Sequence, residues 1–488
     1  MVLSCFMLIS SCSEKDLTLS DPNQIPPETF FVKRIQVESA VTAAYANLQT
    51  RGLYTRHMFF MMDNMAHENE GNSQLESDKR AYLDFSFNSS HGPIGDYWDT
   101  CFRGINKANL VIDNQEAINT NILEKDLSQV LKDKYIGEAK FLRGLYYFFL
   151  VTRFGGVPLV TTVADDDTGV ARSTKEEVYA QIVKDLKDAS ADLLPKADED
   201  LGRATQGAAI ALLGKVYLFQ GKYQAALDEF EKLEGYDLEP DFFDNFRIET
   251  ENGIESIFEV QYTAALGSAN QWDSAVSGAG IHETTFRGQE YGLLNWFNVY
   301  PSDRLLDEYE AGDERYAATF YSVGDEYNAG SSTIVQDDLK NGDVFRRAGW
   351  RKYQNYYKTD SEDTRSEINM KVIRYADVLL MMAECENEVG TQATAIGYIN
   401  QVRMRAGGLS ALATTLSKEQ VFDAIVHERA VELAGEQCRF NDLIRWGIAM
   451  DVLSDTNFNE SIHTLLPIPD REFSSNPLMS SADQNPGY

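Results

Sequence analysis

The chain is poor in the residues from which most reactive centres are built. Its 488 residues include six histidines and five cysteines, Cys5, Cys12, Cys101, Cys385 and Cys438. The cysteines form no C-x-x-C pair and follow no regular spacing, so they suggest neither a zinc site nor a thioredoxin-type motif, and no disulfide framework is needed. Positive charge is also short. Lys and Arg number 44 against 76 for Asp and Glu, a formal charge of −32, and such a surface repels phosphate backbones; nucleic acid is not an expected partner. No G-x-S-x-G elbow, phosphate-cradling loop or dinucleotide fingerprint occurs, and the scattered histidines offer no nucleophile and base pair. Carboxylates are too plentiful for a glycosidase pair to be singled out. The residues therefore assign no catalytic group, metal or cofactor.

The first thing present is an apolar start. Val2 to Ser11 is uncharged, ends in small residues and is too short to span a bilayer, which reads as a signal-peptide core over residues 1–11. Ile9-Ser10-Ser11-Cys12 resembles a bacterial lipobox, which makes Cys12 the expected lipidation site. The usual charged n-region before Val2 is missing, so the true start is expected upstream of Met1. Ser13-Glu14-Lys15-Asp16 resembles the acidic stretch behind the lipid of surface-exposed lipoproteins. With Asp21-Pro22 and Pro26-Pro27, residues 12–33 read as a lipidated tether. Nothing later resembles a membrane span.

Residues 34–235 read as mainly helical. Val37, Val41, Ala44, Tyr45 and Leu48 share one 3.6-period face, and Gly52 follows. Tyr135, Ala139, Leu142, Tyr146, Phe149 and Leu150 form another, which Gly155-Gly156 stops. Ser173-Thr174-Lys175-Glu176-Glu177 offers a capping box to a third, which runs to Pro195. From Gly214, Tyr217, Gly221, Ala226 and Phe230 fall at tetratricopeptide offsets, where small residues let two helices approach and aromatics fill the gap. A weaker echo runs from Ala383 through Gly390 and Ala395 to Ile399. Two units so far apart imply a helical scaffold, 34–235 and 371–488, interrupted by an insertion.

Residues 236–370 are that insertion. Gly and Ser clusters and short mixed runs break the helical rhythm, as in a functional loop region. Its aromatics, Tyr262, Trp272, Phe286, Tyr291, Trp296, Phe297, Tyr300, Trp350, Tyr353, Tyr356 and Tyr357, are the candidates for a ligand platform, because planar rings stack on sugar faces; core burial is the competing role for each. Arg346, Arg347, Arg351 and Lys352 are the one local basic concentration, read as a salt-bridged face. His67-Glu68-Asn69-Glu70 lacks the second histidine of a metalloprotease helix, with Gly71 in its place. Asp63, Asn64, Glu68, Asn69, Glu70 and Asn72 lack calcium-loop spacing and read as a solvated loop. Asp165-Asp166-Asp167 reads as a surface turn.

Several segments, in order, resemble the SusD/RagB family of outer-membrane nutrient-binding lipoproteins. They are the lipobox at Cys12; Trp98 with Arg103-Gly104-Ile105-Asn106; Gly137-Glu138-Ala139-Lys140-Phe141-Leu142-Arg143-Gly144 leading to Phe154-Gly155-Gly156-Val157-Pro158; Ile373-Arg374-Tyr375-Ala376-Asp377; His427-Glu428-Arg429 with Glu432 and Glu436; Arg439-Phe440-Asn441-Asp442-Leu443-Ile444-Arg445-Trp446; and Leu466-Pro467-Ile468-Pro469 with Asn485-Pro486-Gly487. The resemblance implies a mainly α protein with tetratricopeptide-type helix pairs and an irregular loop-rich ligand region. It further implies a non-catalytic lipoprotein, anchored in the outer membrane and facing outward, that captures glycans and passes them to a SusC-type TonB-dependent transporter. By position, Tyr82, Trp98, Trp272, Tyr291, Trp296 and Trp350 are the expected ligand contacts. Competing readings are a lipid-anchored polysaccharide hydrolase and a repeat-type assembly scaffold.

Overall fold

The computed structural model describes residues 30–163, 168–266, 283–342 and 344–488. Cys12 with its tether, Asp165-Asp166-Asp167 and Trp272 lie outside the described residues. No helix among the described residues is long and apolar enough to cross a membrane.

The fold is mainly α. The first half supplies α1 (Arg34–Ala46), α2 (His57–Met65), α3 (Ser77–Asp84), α4 (Gly92–Asp113), α5 (Gln129–Phe154), α6 (Lys175–Asp192), α7 (Gln206–Phe219) and α8 (Tyr223–Phe230). The second supplies α9 (Tyr375–Val389), α10 (Gln392–Arg405), α11 (Lys418–Glu432) and α12 (Arg439–Trp446). The caps explain the boundaries. Ser128 Oγ accepts from Leu131 N at the start of α5, and Gly155 ends that helix at φ +71°, a conformation in which a Cβ would be strained. At α6 the Thr174 hydroxyl accepts from Glu177 N at 3.2 Å while the Glu177 carboxylate accepts from Thr174 N at 2.8 Å. That is the capping box read from the sequence. α1 stops two residues short of Leu48, and Asn47–Gln49 tightens into a 3-10 turn.

Eight helices pack side by side in the order α1, α4, α5, α6, α7, α8, α9, α10. α8 meets α9 directly although residues 231–374 intervene in the chain, so the row is continuous in space where it is interrupted in sequence. Small residues allow the close approaches. Gly104 faces the Tyr146 ring across α4 and α5, Gly144 faces Leu186 across α5 and α6, and Gly214 faces the Phe230 ring across α7 and α8. The insertion leaves and returns through a two-stranded clasp, in which β1 (Ser256–Val260) pairs antiparallel with β2 (Met370–Arg374), Met370 opposite Val260 and Arg374 opposite Ser256.

Two hydrophobic cores meet at α2, all nine residues of which are buried. Met58, Met61, Met62 and Met65 join the large core of the helical row. Phe59 and Phe60 join a second core with Phe286, Tyr291, Phe320 and Trp350 of the insertion. With its apolar residues covered on both sides and its Asp63 and Asn64 held by Arg287 and the Lys79 carbonyl, this helix is the wall between scaffold and loops.

A buried ion-pair network locks the insertion to the row. Arg374 Nη1 lies 2.6 Å from Glu255 and 2.5 Å from Glu432, and its Nε 2.8 Å from Glu436. Arg405 pairs with Glu255 and Glu432, and Arg315 of the insertion with Asp313, Glu428 and Glu432.

An alanine in a helix interior ordinarily stabilises relative to glycine by about 1 kcal/mol. At Gly214 the added methyl would overlap the Phe230 ring, so Gly214→Ala is expected to lower the stability by about 1–3 kcal/mol in denaturant unfolding. The penalty should shrink in a Phe230→Leu background; an equal penalty in both backgrounds would overturn the close-approach account.

Candidate functional site

The site is assembled from three segments that meet at one peptide. A short helix, Arg287–Tyr291, is followed by a tight loop in which Trp296 N donates to Gln289 O at 3.1 Å and Phe297 N to Gly292 O at 3.1 Å. Phe297 then turns the chain at φ +48°, a left-handed conformation costly for an aromatic residue, and strain of this kind gathers at binding loops. The Phe297 carbonyl accepts from Asn72 Nδ2 at 2.8 Å and from Asn341 Nδ2 at 3.3 Å. Thus the loop after α2 and the hairpin Lys340–Phe345 both grip the Trp296-Phe297 turn. The adjoining strand residues Asn69–Gly71 pair antiparallel with Val299–Pro301, which fixes the turn from its far side.

The polar rim of this site is held by charge. Arg346 stacks 3.9 Å over the Tyr300 ring and lies 3.7 Å from Glu70, while Arg80 Nη2 donates to the Asn72 carbonyl. Trp296 is 43% exposed. When the Gln289 amide is oriented to satisfy both of its neighbours, its oxygen accepts from Trp296 Nε1 at 2.9 Å and its nitrogen donates to Glu362 O at 3.0 Å. A tied indole N–H with part of the ring left in solvent makes a fixed stacking surface. Phe345, 50% exposed at the hairpin end with Lys340 Nζ 5.7 Å over its ring, adds a second open aromatic.

Of the other expected contacts, Trp272 lies outside the described residues, and Tyr82, Trp98, Tyr291 and Trp350 are buried in this structure. Tyr82 packs against His91 and Phe87, with ring centroids 5.0 and 5.9 Å away. Trp98 meets Phe154 edge-on at 4.9 Å, and its Nε1 donates to Glu472 Oε2 of the C-terminal tail at 3.1 Å. Tyr291 and Trp350 belong to a buried polar hub. Asp63 pairs with Arg287 at 2.8 Å, Tyr291 OH donates to Asp63 at 3.0 Å, the Arg287 guanidinium lies 3.4 Å over the Tyr291 ring, and Trp350 Nε1 donates to Asn69 Oδ1 at 2.8 Å. Rings with no open face cannot stack on a ligand in this conformation. Of the six, Trp296 is the described residue with an accessible ring.

The same hub corrects the expectation of a solvated loop at Asp63 to Asn72, since Asp63, Asn64, Glu68, Asn69 and Asn72 are buried. Asn72 holds the Trp296 turn, Asp63 and Asn69 hold the hub, Asn64 donates to the Lys79 carbonyl and Glu68 accepts from Gly435 N. Among the described residues no group of three or more His, Cys, Asp or Glu side chains is placed to hold a metal ion. The basic run divides as a salt-bridged face would: Arg347 lies 3.2 Å from Asp303 and 2.7 Å from Asp307, Arg346 reaches Glu70, and buried Lys352 reaches Glu436. Arg351 instead lies over the rings of Phe243 and Tyr321. Exposed Phe345, and Asn72 and Asn341 that hold the Phe297 carbonyl, are residues that sequence reasoning did not place at this turn. Gly342-Asp343 was the available signal, a Gly-Asp hairpin dipeptide whose following strand ends in an aromatic.

Glu362 backs the Trp296 loop. Its carboxylate accepts from Asn355 N at 2.9 Å and Ser366 Oγ at 3.0 Å, and its backbone N–H donates to Asn295 Oδ1 at 3.2 Å. Burial pushes its carboxyl up to about 7, and no ion pair offsets this among the described residues. The sign follows: with the folded value above the unfolded one, its contribution is complete below the ordinary carboxylate range and is lost as pH rises towards about 7. Glu362→Gln is therefore expected to remove about 2–4 kcal/mol of the stability lost between mildly acidic and mildly alkaline buffer, read by denaturant unfolding at each pH. An unchanged pH profile would reject the assignment.

The chain resembles known proteins along most of its length. Residues 254–460 match the model of the SusD family, and residues 17–218 match a model described as starch-binding, associating with the outer membrane. A SusD-like protein of Formosa agariphila is 28% identical, the alignment covering 100% of this chain and 99% of its own length. The solved structure of a laminarin-binding SusD-like protein superposes with a TM-score of 0.77 at 28% identity, covering 93% of this chain and 100% of that one. A SusD superfamily protein from Bacteroides vulgatus gives a TM-score of 0.81 at 27% identity, covering 94% of this chain and 100% of its own.

Proposed function

Because the chain belongs to the SusD family, a family of glycan-binding proteins, we propose that it is a non-catalytic outer-membrane lipoprotein, anchored through Cys12, that captures a glycan at the Trp296 turn and passes it to a SusC-type TonB-dependent transporter. The observation that carries this reading is the open, tethered ring of Trp296, on a turn whose backbone is held by Asn72 and Asn341. A ring held by its N–H and bare on its face suits the apolar face of a pyranose, and the surrounding amides and charges suit its hydroxyls. The net charge of −32 favours a neutral glycan over a polyanionic one. Laminarin, which the 28% identical relative is named for binding, is the first ligand to try.

Isothermal titration with laminarin and a panel of neutral oligosaccharides tests the capture step. Trp296→Ala is expected to weaken the best ligand by about tenfold to a hundredfold, the loss of one stacking platform, and to leave the melting temperature unchanged. Wild-type affinity in that variant would overturn the site. Release of reducing ends from a bound glycan by the purified protein would overturn the non-catalytic reading.

The anchor is tested separately. Cys12→Ala is expected to abolish labelled palmitate incorporation and to move the protein out of the membrane fraction. Continued labelling would overturn the assignment of Cys12.

A further inference from the structure

Beneath the row of helices, away from the Trp296 turn, lies a small cavity of about 40 Å³ whose lining includes Tyr54, Arg153, Lys215, Arg429, Gln437, Cys438 and Asp442. Its charges can be counted by following the ion pairs. Lys215 reaches Asp377 at 2.9 Å, Arg429 reaches Asp377 at 2.8 Å and Asp442 at 2.7 Å, and Arg445 reaches Asp442 at 2.9 Å and also pairs with Glu384. That chain alternates three cations with three carboxylates and is neutral. Glu436, which also touches the cavity, is already held by Arg374 and Lys352 at 2.8 and 2.9 Å.

Arg153 is the surplus. It is buried in the last turn of α5, and among the described residues no carboxylate pairs with it. Its Nη1 makes one long hydrogen bond, to the Thr152 carbonyl at 3.4 Å, and its buried Nε has no acceptor. The carboxyl end of its own helix supplies partial negative charge but nothing that reaches Nε. Its neighbours cannot readily supply a counter-charge, because burial pushes the Cys438 thiol up to about 12 and the Tyr54 phenol well above its usual value. An uncompensated guanidinium in a protein interior is costly unless something neutralises it.

We propose that this cavity is a binding site for a small inorganic anion of the halide class, chloride in ordinary buffers, which pairs with Arg153 and rigidifies the junction of α5, α7 and α12. The volume suits a monatomic ion, being a few times what one water needs, and is too small for an organic acid. The site is separate from the glycan platform, so its occupancy acts on the stability of the scaffold.

Two measurements on the full chain decide it. Crystals grown or soaked in concentrated sodium bromide should show an anomalous peak in contact with the Arg153 guanidinium; water-like density without anomalous signal overturns the proposal. In thermal unfolding at fixed sodium concentration, replacing gluconate by chloride should raise the melting temperature by about 1–2 °C per tenfold increase beyond half-saturation. Arg153→Met should abolish that dependence; equal melting temperatures of the wild type in chloride and gluconate overturn the proposal without recourse to the variant.

Discussion

Arg374 is 1% exposed and faces three carboxylates from two distant parts of the chain, and the remainder of the molecule is arranged around that fact. Glu255 enters from the start of the clasp, Glu432 from the last residue of α11 and Glu436 from the turn just past it, and Arg405 from the end of α10 shares two of them. Arg315 brings in the insertion through Glu428 and Glu432. Removing water from so many charges is expensive, and the arrangement holds only because each carboxylate has more than one cation. The flanking arginines hold Glu432 well below the usual carboxylate range despite its burial. Loss of one member would leave its partners charged and dry, at a cost of about 3–5 kcal/mol. The network therefore sets the insertion against the row, and through the clasp it sets the height at which the Trp296 loop is carried.

The helical scaffold was legible because its signals are local. The Thr174 and Glu177 cap and the stop at Gly155 depend on residues within a turn of one another, and Gly214 meets Phe230 across a single pair of consecutive helices. The ligand region was legible only as a region. Tyr82, Trp98, Tyr291 and Trp350 have the right chemistry for stacking, but their depth is set by contacts from residues far away in the chain, such as Glu472 for Trp98 and Asn69 for Trp350. Periodicity carries no information about such contacts. Asp63 shows the same limit from the other side, since an acidic, amide-rich stretch looks solvated until Arg287, more than two hundred residues later, is brought beside it.

The Trp296 turn combines two requirements that usually conflict. For the proposed capture of a glycan, its ring must be open, yet it must be still. The left-handed Phe297, the two asparagine amides on its carbonyl and the Gln289 contact to the indole fix the backbone and the ring from behind, so little freedom remains to be lost when a ligand arrives. The supports come from both the segment after α2 and the insertion, which makes the platform a property of the assembled fold.

That joint origin has a consequence for how variety arises in such molecules. α2 gives four methionines to the scaffold and two phenylalanines to the loops. Exchanging the insertion alone between two relatives would bring foreign side chains against Phe59 and Phe60, and would meet Asn69 and Asn72 in a setting shaped for other partners. For the proposed platform, the natural unit of inheritance is therefore discontinuous in the gene: a stretch near the beginning and a stretch past the middle must change together, while the helices between them stay as they are.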